Sequence, residues 1–424
     1  MKLTKLMIAA VAVCGVAQAH AAGVTRLTGS SASSINVVRG LNNLCTSAGG
    51  TTTVYKTSSS TSSLGNQVTV KCSTDFSGTS LDEARLNVAG GSESAVTNAA
   101  AYPASTTTKF LVGSGSCTAL GAGTEALSFL AAGQMKNCGT TLADTSKSDG
   151  GFLDVEGPVF NASKYDPADF QVAGFSQVFG IAVNSTLYND LQAFQKTATG
   201  GNIVPSTCAA GDATAACQPS LTRAQLGALM NADNSSAAKT QGGKYLIPSS
   251  TAAKITYCMR PQSSGTQQSA QLYFLGQALN GVLGGAEAVH AVGAAPSGKY
   301  EAVLNNGSSD VKACLNDATA YKFGALSLEN NPLGGTDTYR FVRINEVAGA
   351  EGTAGSSQTA TAVSGRYDYV YELSAYCPAG VCADILTALQ GAVAPGTSSP
   401  GIFLTGVEST FGRNGNSAAP YITR

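Results

Sequence analysis

Charged side chains are scarce in this 424-residue sequence. Lys, Arg, Asp and Glu make up 12% of the chain, about half the usual share, and the formal net charge is −1. Proteins that bind nucleic acid or an anionic membrane surface need a positive excess, because the partner is a dense array of negative charge. Neither nucleic acid nor a membrane is therefore expected as a partner.

Histidine is almost absent. The chain has 2 histidines, and His20 lies within an amino-terminal segment that we expect to be removed, which leaves His290. A single histidine excludes histidine-rich metal sites and mechanisms that need two histidines. No cofactor is expected, and we predict that His290 lies at the surface or at a helix edge.

Long apolar runs are missing beyond the amino terminus. Residues 1–21 combine a basic start, the apolar run Leu6–Val16 and small-x-small cleavage sites, which is the pattern of a Sec signal peptide. Val13 precedes Cys14 where a lipoprotein signal needs a small residue, so we predict a soluble export product without a lipid anchor. No later stretch is long enough to span a bilayer. We expect a periplasmic or secreted protein.

Cysteines are present in an even number once Cys14 is removed with the signal peptide, since ten of the 11 remain. In an exported chain this number favours disulfides over metal ligands. The sequence does not fix their connectivity, and pairing of nearest neighbours is one hypothesis. It gives Cys45–Cys72, Cys117–Cys138, Cys208–Cys217, Cys258–Cys314 and Cys377–Cys382.

The length of the chain and its alternation of strands and helices predict an α/β protein with at least two lobes. The run Val172–Val183 is almost continuously apolar, as in a strand buried on both faces, and we place a crossing between lobes near it. We assign residues 22–171 to lobe 1, 172–332 to lobe 2, and 333–424 to a segment that returns to lobe 1.

The most informative stretch is an apolar run that ends at Arg260 and is followed by Ser264, Gly265 and Thr266 before a helix-like segment. Serine or threonine can cap the helix, glycine allows close approach of a ligand, and the free N–H groups of the first turn attract an anion. Arginine adds a charged fork of donors that matches phosphate or carboxylate. An ordinary helix start with a surface arginine is the competing interpretation.

Three other junctions have the same small-residue chemistry: Thr28–Ser34, Gly90–Ala95 and Gly150–Pro158. In α/β sheets, ligands bind where the carboxyl ends of strands meet helix starts. The occurrence of the same small-residue junction at separate places therefore favours a shared ligand site. Taken singly, the serines could equally be helix caps and Asp154 a turn-former, so these alternatives stay open.

Together these junctions resemble the periplasmic phosphate-binding proteins of ABC importers, which have the type 2 periplasmic-binding-protein fold. The most specific match is Arg260-x-x-x-Ser264-Gly265-Thr266, where the family has an arginine and a Ser-Gly-Thr turn that bind phosphate. The resemblance implies a two-lobed fold of this type, here as a divergent member with disulfide-stapled insertions.

The same resemblance implies roles for four further residues. At the first junction, Ser33 corresponds to the family residue whose hydroxyl binds phosphate, and Ser34 to a residue that donates a backbone N–H. At the second, Ser92 corresponds to the family's serine ligand. At the third, Asp154 corresponds to the buried carboxylate that accepts a hydrogen bond from a protonated phosphate.

The sequence also departs from the family pattern. Gln262 stands where importer proteins commonly have an aspartate beside the arginine, and Ser34 replaces an aromatic residue. A neutral Gln262 leaves Arg260 less constrained and the pocket more positive. Phosphate binding is compatible with this change, and so is binding of another oxyanion without an importer.

The resemblance implies an exported, monomeric solute-binding protein that holds phosphate or a similar tetrahedral oxyanion between its lobes, with an ABC permease as partner. The alternative is an extracellular structural or adhesive protein of the same fold with a lost or changed ligand, which the low charge and many Ser, Thr and Gly loops would suit. An enzyme is not expected. The matches Ser236-x-x-Lys239 and Ser309-x-x-Lys312 lack the companion motifs of acyl-transferring enzymes.

Overall fold

The computed structural model describes most of the chain after the predicted signal peptide, which itself lies outside the described residues. Part of the predicted return crossing, residues 333–335, also lies outside them. The described ranges are 23–139, 143–161, 163–276, 288–332, 336–349, 360–378, 380–392, 401–405 and 407–423.

Strands and helices alternate along the described residues. The strands are β1 Val24–Gly29, β2 Thr52–Lys56, β3 Gln67–Cys72, β4 Glu83–Asn87, β5 Thr108–Leu111, β6 Thr118–Ala119, β7 Met135–Asn137, β8 Ala143–Ser146, β9 Gly150–Leu153, β10 Phe170–Val183, β11 Ser220–Leu221, β12 Ile255–Met259, β13 Gly293–Ala294, β14 Tyr300–Leu304, β15 Tyr321–Ser327, β16 Arg340–Phe341, β17 Arg343–Ile344, β18 Val370–Tyr376, β19 Ile402–Leu404, β20 Phe411–Gly412 and β21 Ile422–Thr423. The helices are α1 Ser34–Ser47, α2 Ser94–Thr97, α3 Gly157–Phe160, α4 Ser185–Gln195, α5 Arg223–Met230, α6 Ala237–Thr240, α7 Gly265–Ala270, α8 Ser308–Asn316, α9 Ala360–Val363 and α10 Gly380–Ala392.

One long mixed sheet organises the molecule, in the order β13-β14-β12-β15-β10-β18-β9-β1-β4-β3-β2-β7-β6. On one side of β10, which we call the first half-sheet, β1 runs parallel to β4 and β9. On the other side, the second half-sheet, β12 runs parallel to β14 and β15. The predicted α/β class is confirmed, and the sheet has two parts that meet at β10.

β10 belongs to both half-sheets because it is 14 residues long. Its residues 170–172 and 176–178 pair antiparallel with β18, and residues 179–183 pair antiparallel with β15. Ala173 and Phe175 enter the hydrophobic core of the first half, while Val178 and Phe179 enter that of the second. The predicted crossing strand is therefore present, although Val172 at its start is 43% exposed. The exact lobe boundaries remain a prediction.

The five disulfides of the structure are the nearest-neighbour pairs. Cys45–Cys72 joins α1 to β3, and Cys258–Cys314 joins β12 to α8. Cys117–Cys138, Cys208–Cys217 and Cys377–Cys382 complete the set. Disulfides of this number are typical of an exported protein.

Some local expectations were wrong. The low charge of segment 99–148 predicts an irregular insertion, but the segment contributes β7, which pairs with β2 and extends the main sheet. The pattern of residues 220–229 predicts a short helix capped by Ser220, but α5 is capped by Thr222 through a capping box with Gln225, and Ser220 belongs to a short strand. His290 is not at the surface: it is 5% exposed, packs against the Tyr300 ring and contacts Asn234.

Candidate functional site

The site forms where parallel strands of the two half-sheets end. β1 leads into Ser30 and α1, and β9 ends immediately before Asp154. In the second half, β12 ends immediately before Arg260. Carboxyl ends of neighbouring parallel strands lie at one edge of a sheet, so these corners converge. We call the space between the two edges the cleft.

Asp154 is the centre of the hydrogen-bond network in the cleft. It is 1% exposed, and its carboxyl oxygens accept hydrogen bonds from the hydroxyls of Ser30 and Thr266, the latter at 3.1 Å. Burial raises the pKa of Asp154, while the two hydroxyl bonds and the charge of Arg260 act in the opposite direction. Asp154 is thus a buried carboxyl that joins both halves, and not a loop cap at the surface.

Ser92 joins the two halves directly. Its Oγ accepts a hydrogen bond from the N–H of Asp154 at 3.3 Å and from the N–H of Gly265 at 3.1 Å. The residue at the cap of α2 is Glu93, so Ser92 is not the helix cap that the competing interpretation required. A Cβ on Gly265 would lie 2.4 Å from Ser92 Oγ and 2.6 Å from Asp154 Cβ. Only glycine allows this approach.

Arg260 is buried in the cleft and is not a surface charge. It is 2% exposed, and its Nη1 donates to the hydroxyls of Ser31 and Ser308, both at 3.3 Å. Its Nε is buried without a hydrogen-bond partner among the described residues. Burial lowers the pKa of Arg260 to about 10, opposed by the charges of Asp154 and Asp310, so the guanidinium remains charged at neutral pH.

Gln262 does not replace the missing aspartate beside Arg260. Its side-chain oxygen accepts hydrogen bonds from Gln268 at 3.0 Å and from Gln271 at 2.9 Å, both beyond the start of α7. The side chain is therefore engaged with the helix that follows it. This leaves the Arg260 guanidinium without a carboxylate in direct contact among the described residues, as the departure from the family pattern suggested.

The helix starts differ in how they use their serines. Ser33 stands at the cap position of α1 but makes no side-chain cap bond, and the Ser34 hydroxyl donates to the Ser31 carbonyl at 2.8 Å. Ser264 does cap α7, because its Oγ accepts from the N–H of Gln267 at 3.4 Å. The capping explanation therefore holds for Ser264 and fails for Ser33.

A cavity of about 50 Å³ has in its wall Ser31 and Ser308, the two hydroxyl partners of Arg260. Of the site residues predicted from the sequence, Ser34 also lines it. Its lining comes from both half-sheets and from the segment that connects them. The lining residues are Ser31, Ser34, Ile35, Ser62, Ser63, Leu64, Gly65, Asn66, Val88, Ser308, Ser309, Lys312, Glu329 and Asn330.

The structure thus brings the predicted residues into one cluster and adds four that were not predicted as site residues: Ser30, Ser31, Ser308 and Glu329. Ser308 follows β14, which pairs in parallel with β12. The stretch Asn305–Ser309 after an apolar strand was a readable signal, since it repeats the small-residue junction seen elsewhere. Glu329 carried no such signal.

The two Ser-x-x-Lys matches do not form catalytic pairs. The Ser236 hydroxyl donates to the Asp233 carbonyl, whereas Lys239 donates to the last carbonyls of α5, including that of Ala228 at 3.1 Å. Lys312 forms an ion pair with Asp337 at 2.8 Å. Both lysines are engaged in contacts that stabilise the fold.

Cys208, Asp212 and Cys217 are close enough together to suggest a metal site, but the two cysteines form a disulfide. A disulfide sulfur is not the thiolate that binds a metal ion. Within the described ranges, no helix combines the length and apolar character needed to cross a bilayer.

Comparisons with known proteins give structural similarity only. No family model matches the sequence, and no curated protein is significantly similar to it. One solved structure is assigned as a phosphate ABC transporter substrate-binding protein with bound phosphate from Clostridium perfringens. It is 10% identical, with 95% of this chain and 100% of that chain covered and a TM-score of 0.43.

A second solved structure, named as a possible phosphate binding protein from Planctomyces limnophilus, is 11% identical. The alignment covers 87% of each chain with a TM-score of 0.32. Both names belong to the family that the sequence motifs resemble. Identity and TM-score are low in both cases, so the function proposed below rests on the geometry of the cleft.

Proposed function

We propose that this protein binds phosphate or a similar tetrahedral oxyanion in the cleft. The observation that carries the proposal is the buried Arg260, whose Nε has no partner among the described residues and whose charge acts on the buried carboxyl of Asp154. A buried donor without a partner costs free energy, and an anion that accepts from it would recover that cost.

Neutral dipoles supply most of the remaining contacts. The Ser33 hydroxyl makes only a long contact of 3.5 Å with the Ser30 carbonyl, and Ser92 and Ser264 accept backbone N–H bonds at Oγ, so each of these hydroxyls can donate to an anion. The Gly265 N–H and the Thr266 hydroxyl are already bonded to Ser92 and Asp154 and position these residues. Such donors are fixed by the fold and do not need to reorient when an anion binds. A site of this kind binds an anion without a high local charge, in agreement with the low charge of the whole chain.

Asp154 would determine which oxyanion binds. An ionised carboxylate only accepts hydrogen bonds, so it favours an oxyanion that carries a proton and repels one that does not. At neutral pH phosphate carries a proton and sulfate does not. The ligand is therefore a protonated oxyanion of the phosphate type.

We further propose that the protein is a binder and not an enzyme, that it works as a monomer in the periplasm or outside the cell, and that an ABC permease receives its ligand. The resemblance of the sequence motifs to importer proteins supports the transport role. The five disulfides support export.

A thermal-shift experiment tests the binding proposal. Phosphate, arsenate and sulfate are added separately to the wild-type protein and to Arg260→Met, with Arg366→Met as a control that removes an exposed arginine. A ligand that binds only the folded state at 100 times its Kd adds about 2.7 kcal/mol. We expect phosphate and arsenate to raise the Tm of the wild type and the control, but not that of Arg260→Met. No shift with any oxyanion would contradict the proposal.

A structural or adhesive role is the second candidate, and one observation favours it. The loops of the two halves already bond to each other: Ser92 contacts Gly265, and the Glu93 N–H donates to the Ser263 carbonyl at 3.1 Å. Such contacts could hold the halves together permanently without a ligand. Under this candidate the thermal-shift panel would leave the wild type unchanged.

A further inference from the structure

Glu329 is a second buried carboxyl in the cleft. It lies in the short 3-10 turn Leu328–Asn330 directly after β15, where the chain leaves the second half-sheet. Glu329 lines the cavity together with Ser31 and Ser308, the two hydroxyl partners of the Arg260 guanidinium. The residue is 5% exposed, so its carboxyl has little access to bulk water.

Neutral groups hold the Glu329 carboxyl in place. Oε1 accepts a hydrogen bond from the Ser327 hydroxyl at 2.8 Å, and Oε2 accepts from the Gln177 amide on β10 at 2.9 Å. Among the ion pairs of the described residues, none includes Glu329. A buried carboxylate without a cation in contact is costly, and it avoids this cost by keeping its proton.

Charged and titratable groups from four parts of the fold lie near Glu329. Arg39 on α1 attracts the Glu329 carboxyl from a distance. The Arg39 guanidinium itself stacks on Phe129 and donates to the Ala126 carbonyl at 2.8 Å. The other such groups are Asp154 after β9, Tyr339 before β16, and Lys312 on α8, which is paired with Asp337. Burial, and next the charge of Asp154, raise the pKa of Glu329 to about 8.

The charges of the cleft do not balance when an anion enters. Arg260 contributes one positive charge, Lys312 is neutralised by Asp337, and Asp154 and Glu329 could each contribute a negative one. An added oxyanion would leave a buried excess of negative charge, which is strongly unfavourable. A proton on one of the carboxyls removes part of this excess.

We propose that Glu329 is a ligand-recognition residue of the cleft, which faces the bound oxyanion as a neutral carboxyl and, at alkaline pH, takes up a proton from solvent when the anion binds. Its O–H then donates to an oxyanion oxygen, while Asp154 accepts from the proton that the oxyanion itself carries. This inference rests on the proposed oxyanion binding, and it adds a second carboxyl with the opposite hydrogen-bonding role.

Calorimetry of phosphate binding at pH 8.5, in buffers with different ionisation enthalpies, measures the protons taken up. At this pH about 0.8 of Glu329 would be ionised before binding, given its raised pKa. The phosphate dianion already carries the proton that Asp154 accepts, so its binding requires no further proton. We therefore expect the wild type to take up about 0.8 proton per phosphate.

Glu329→Gln should bind phosphate with about 0.8 fewer protons, and Glu346→Gln, at an exposed position, should behave as the wild type. Proton uptake near zero by the wild type would overturn the inference, even if Glu329→Gln failed to fold. So would equal uptake by the wild type and Glu329→Gln. Absence of any binding heat in the wild type would instead contradict the proposed function itself, and the inference with it.

Discussion

Asp154 and Arg260 illustrate how single residues could be assigned from sequence. Each directly follows a strand, and the family resemblance gave each a role. The structure buries both: Asp154 accepts from Ser30 and Thr266, and Arg260 donates to Ser31, the neighbour of Ser30 in the chain. Glu329 could not be found this way, because it reaches the cleft only through the pairing of β10 with β15, which no local pattern encodes.

The first prediction concerns Asp154→Asn. The amide can donate a hydrogen bond, so an oxyanion without a proton is no longer repelled. We expect the preference for phosphate over sulfate to fall at least about tenfold, which corresponds to about 1.4 kcal/mol. Competition calorimetry with both anions measures this ratio, and Asp169→Asn, at an exposed position, serves as the control. An unchanged ratio would show that Asp154 does not select the ligand.

Strands and helices were predictable where the pattern was long enough. The apolar segment 321–327 predicts a last strand of the second lobe, and β15 lies there. Residues 52–57 and 67–72 predict a hairpin, and β2 and β3 form it. β6 and β7 have only two or three residues, too few for an alternating pattern, and they are strands because they pair with distant segments. The cap of α5 was misplaced by two residues because Ser220 and Thr222 are equally good capping residues.

The second prediction concerns the disulfide between β12 and α8. Cys258–Cys314 connects the strand that carries Arg260 to the helix that carries Ser308. It closes a loop with a sequence separation of 56, so replacing both cysteines by alanine should cost about 4 kcal/mol of unfolding free energy by the chain-entropy model. We also expect weaker phosphate binding, because the contact of Arg260 with Ser308 at the start of α8 loses its anchor.

The matched control is the double alanine variant of Cys208–Cys217, a disulfide with a sequence separation of 9. For this variant the expected loss of unfolding free energy is about 2.6 kcal/mol. Phosphate affinity should not change, because the loop has no residue in the cavity wall. Urea unfolding and calorimetry compare the two. Equal effects on affinity would contradict a positioning role for Cys258–Cys314.

At the scale of the whole molecule, the two-part sheet explains how distant sequence segments meet. The half-sheets share β10, and their parallel strands present carboxyl ends to one cleft. The sequence predicted two lobes and a buried crossing strand, but not the order of the strands. Strand order depends on long-range pairing, and the sequence shows only local periodicity.

The third prediction concerns stability and pH. The pKa of Glu329 is about 8 in the folded protein and about 4.5 when exposed, so between these values the folded state holds a proton that the unfolded state has released. The unfolded state binds fewer protons, so the free energy of unfolding falls as the pH rises from about 5 to about 8. Glu329→Gln lacks this contribution.

Urea unfolding of both proteins at pH 5 and pH 8 tests this sign. Relative to Glu329→Gln, the wild type should lose at least about 1.4 kcal/mol over this range, the value of one pKa unit. A difference between the two proteins that does not change with pH would show that Glu329 keeps an ordinary pKa.

The most direct test of oxyanion binding is equilibrium dialysis with radiolabelled inorganic phosphate, after bound ligand has been removed by unfolding and oxidative refolding. We expect the wild type to bind one phosphate per chain, equimolar sulfate to displace little of it, and Arg260→Met to show no saturable binding. No saturable binding of phosphate by the wild type, or equal binding by Arg260→Met, would contradict an anion site built around the buried guanidinium.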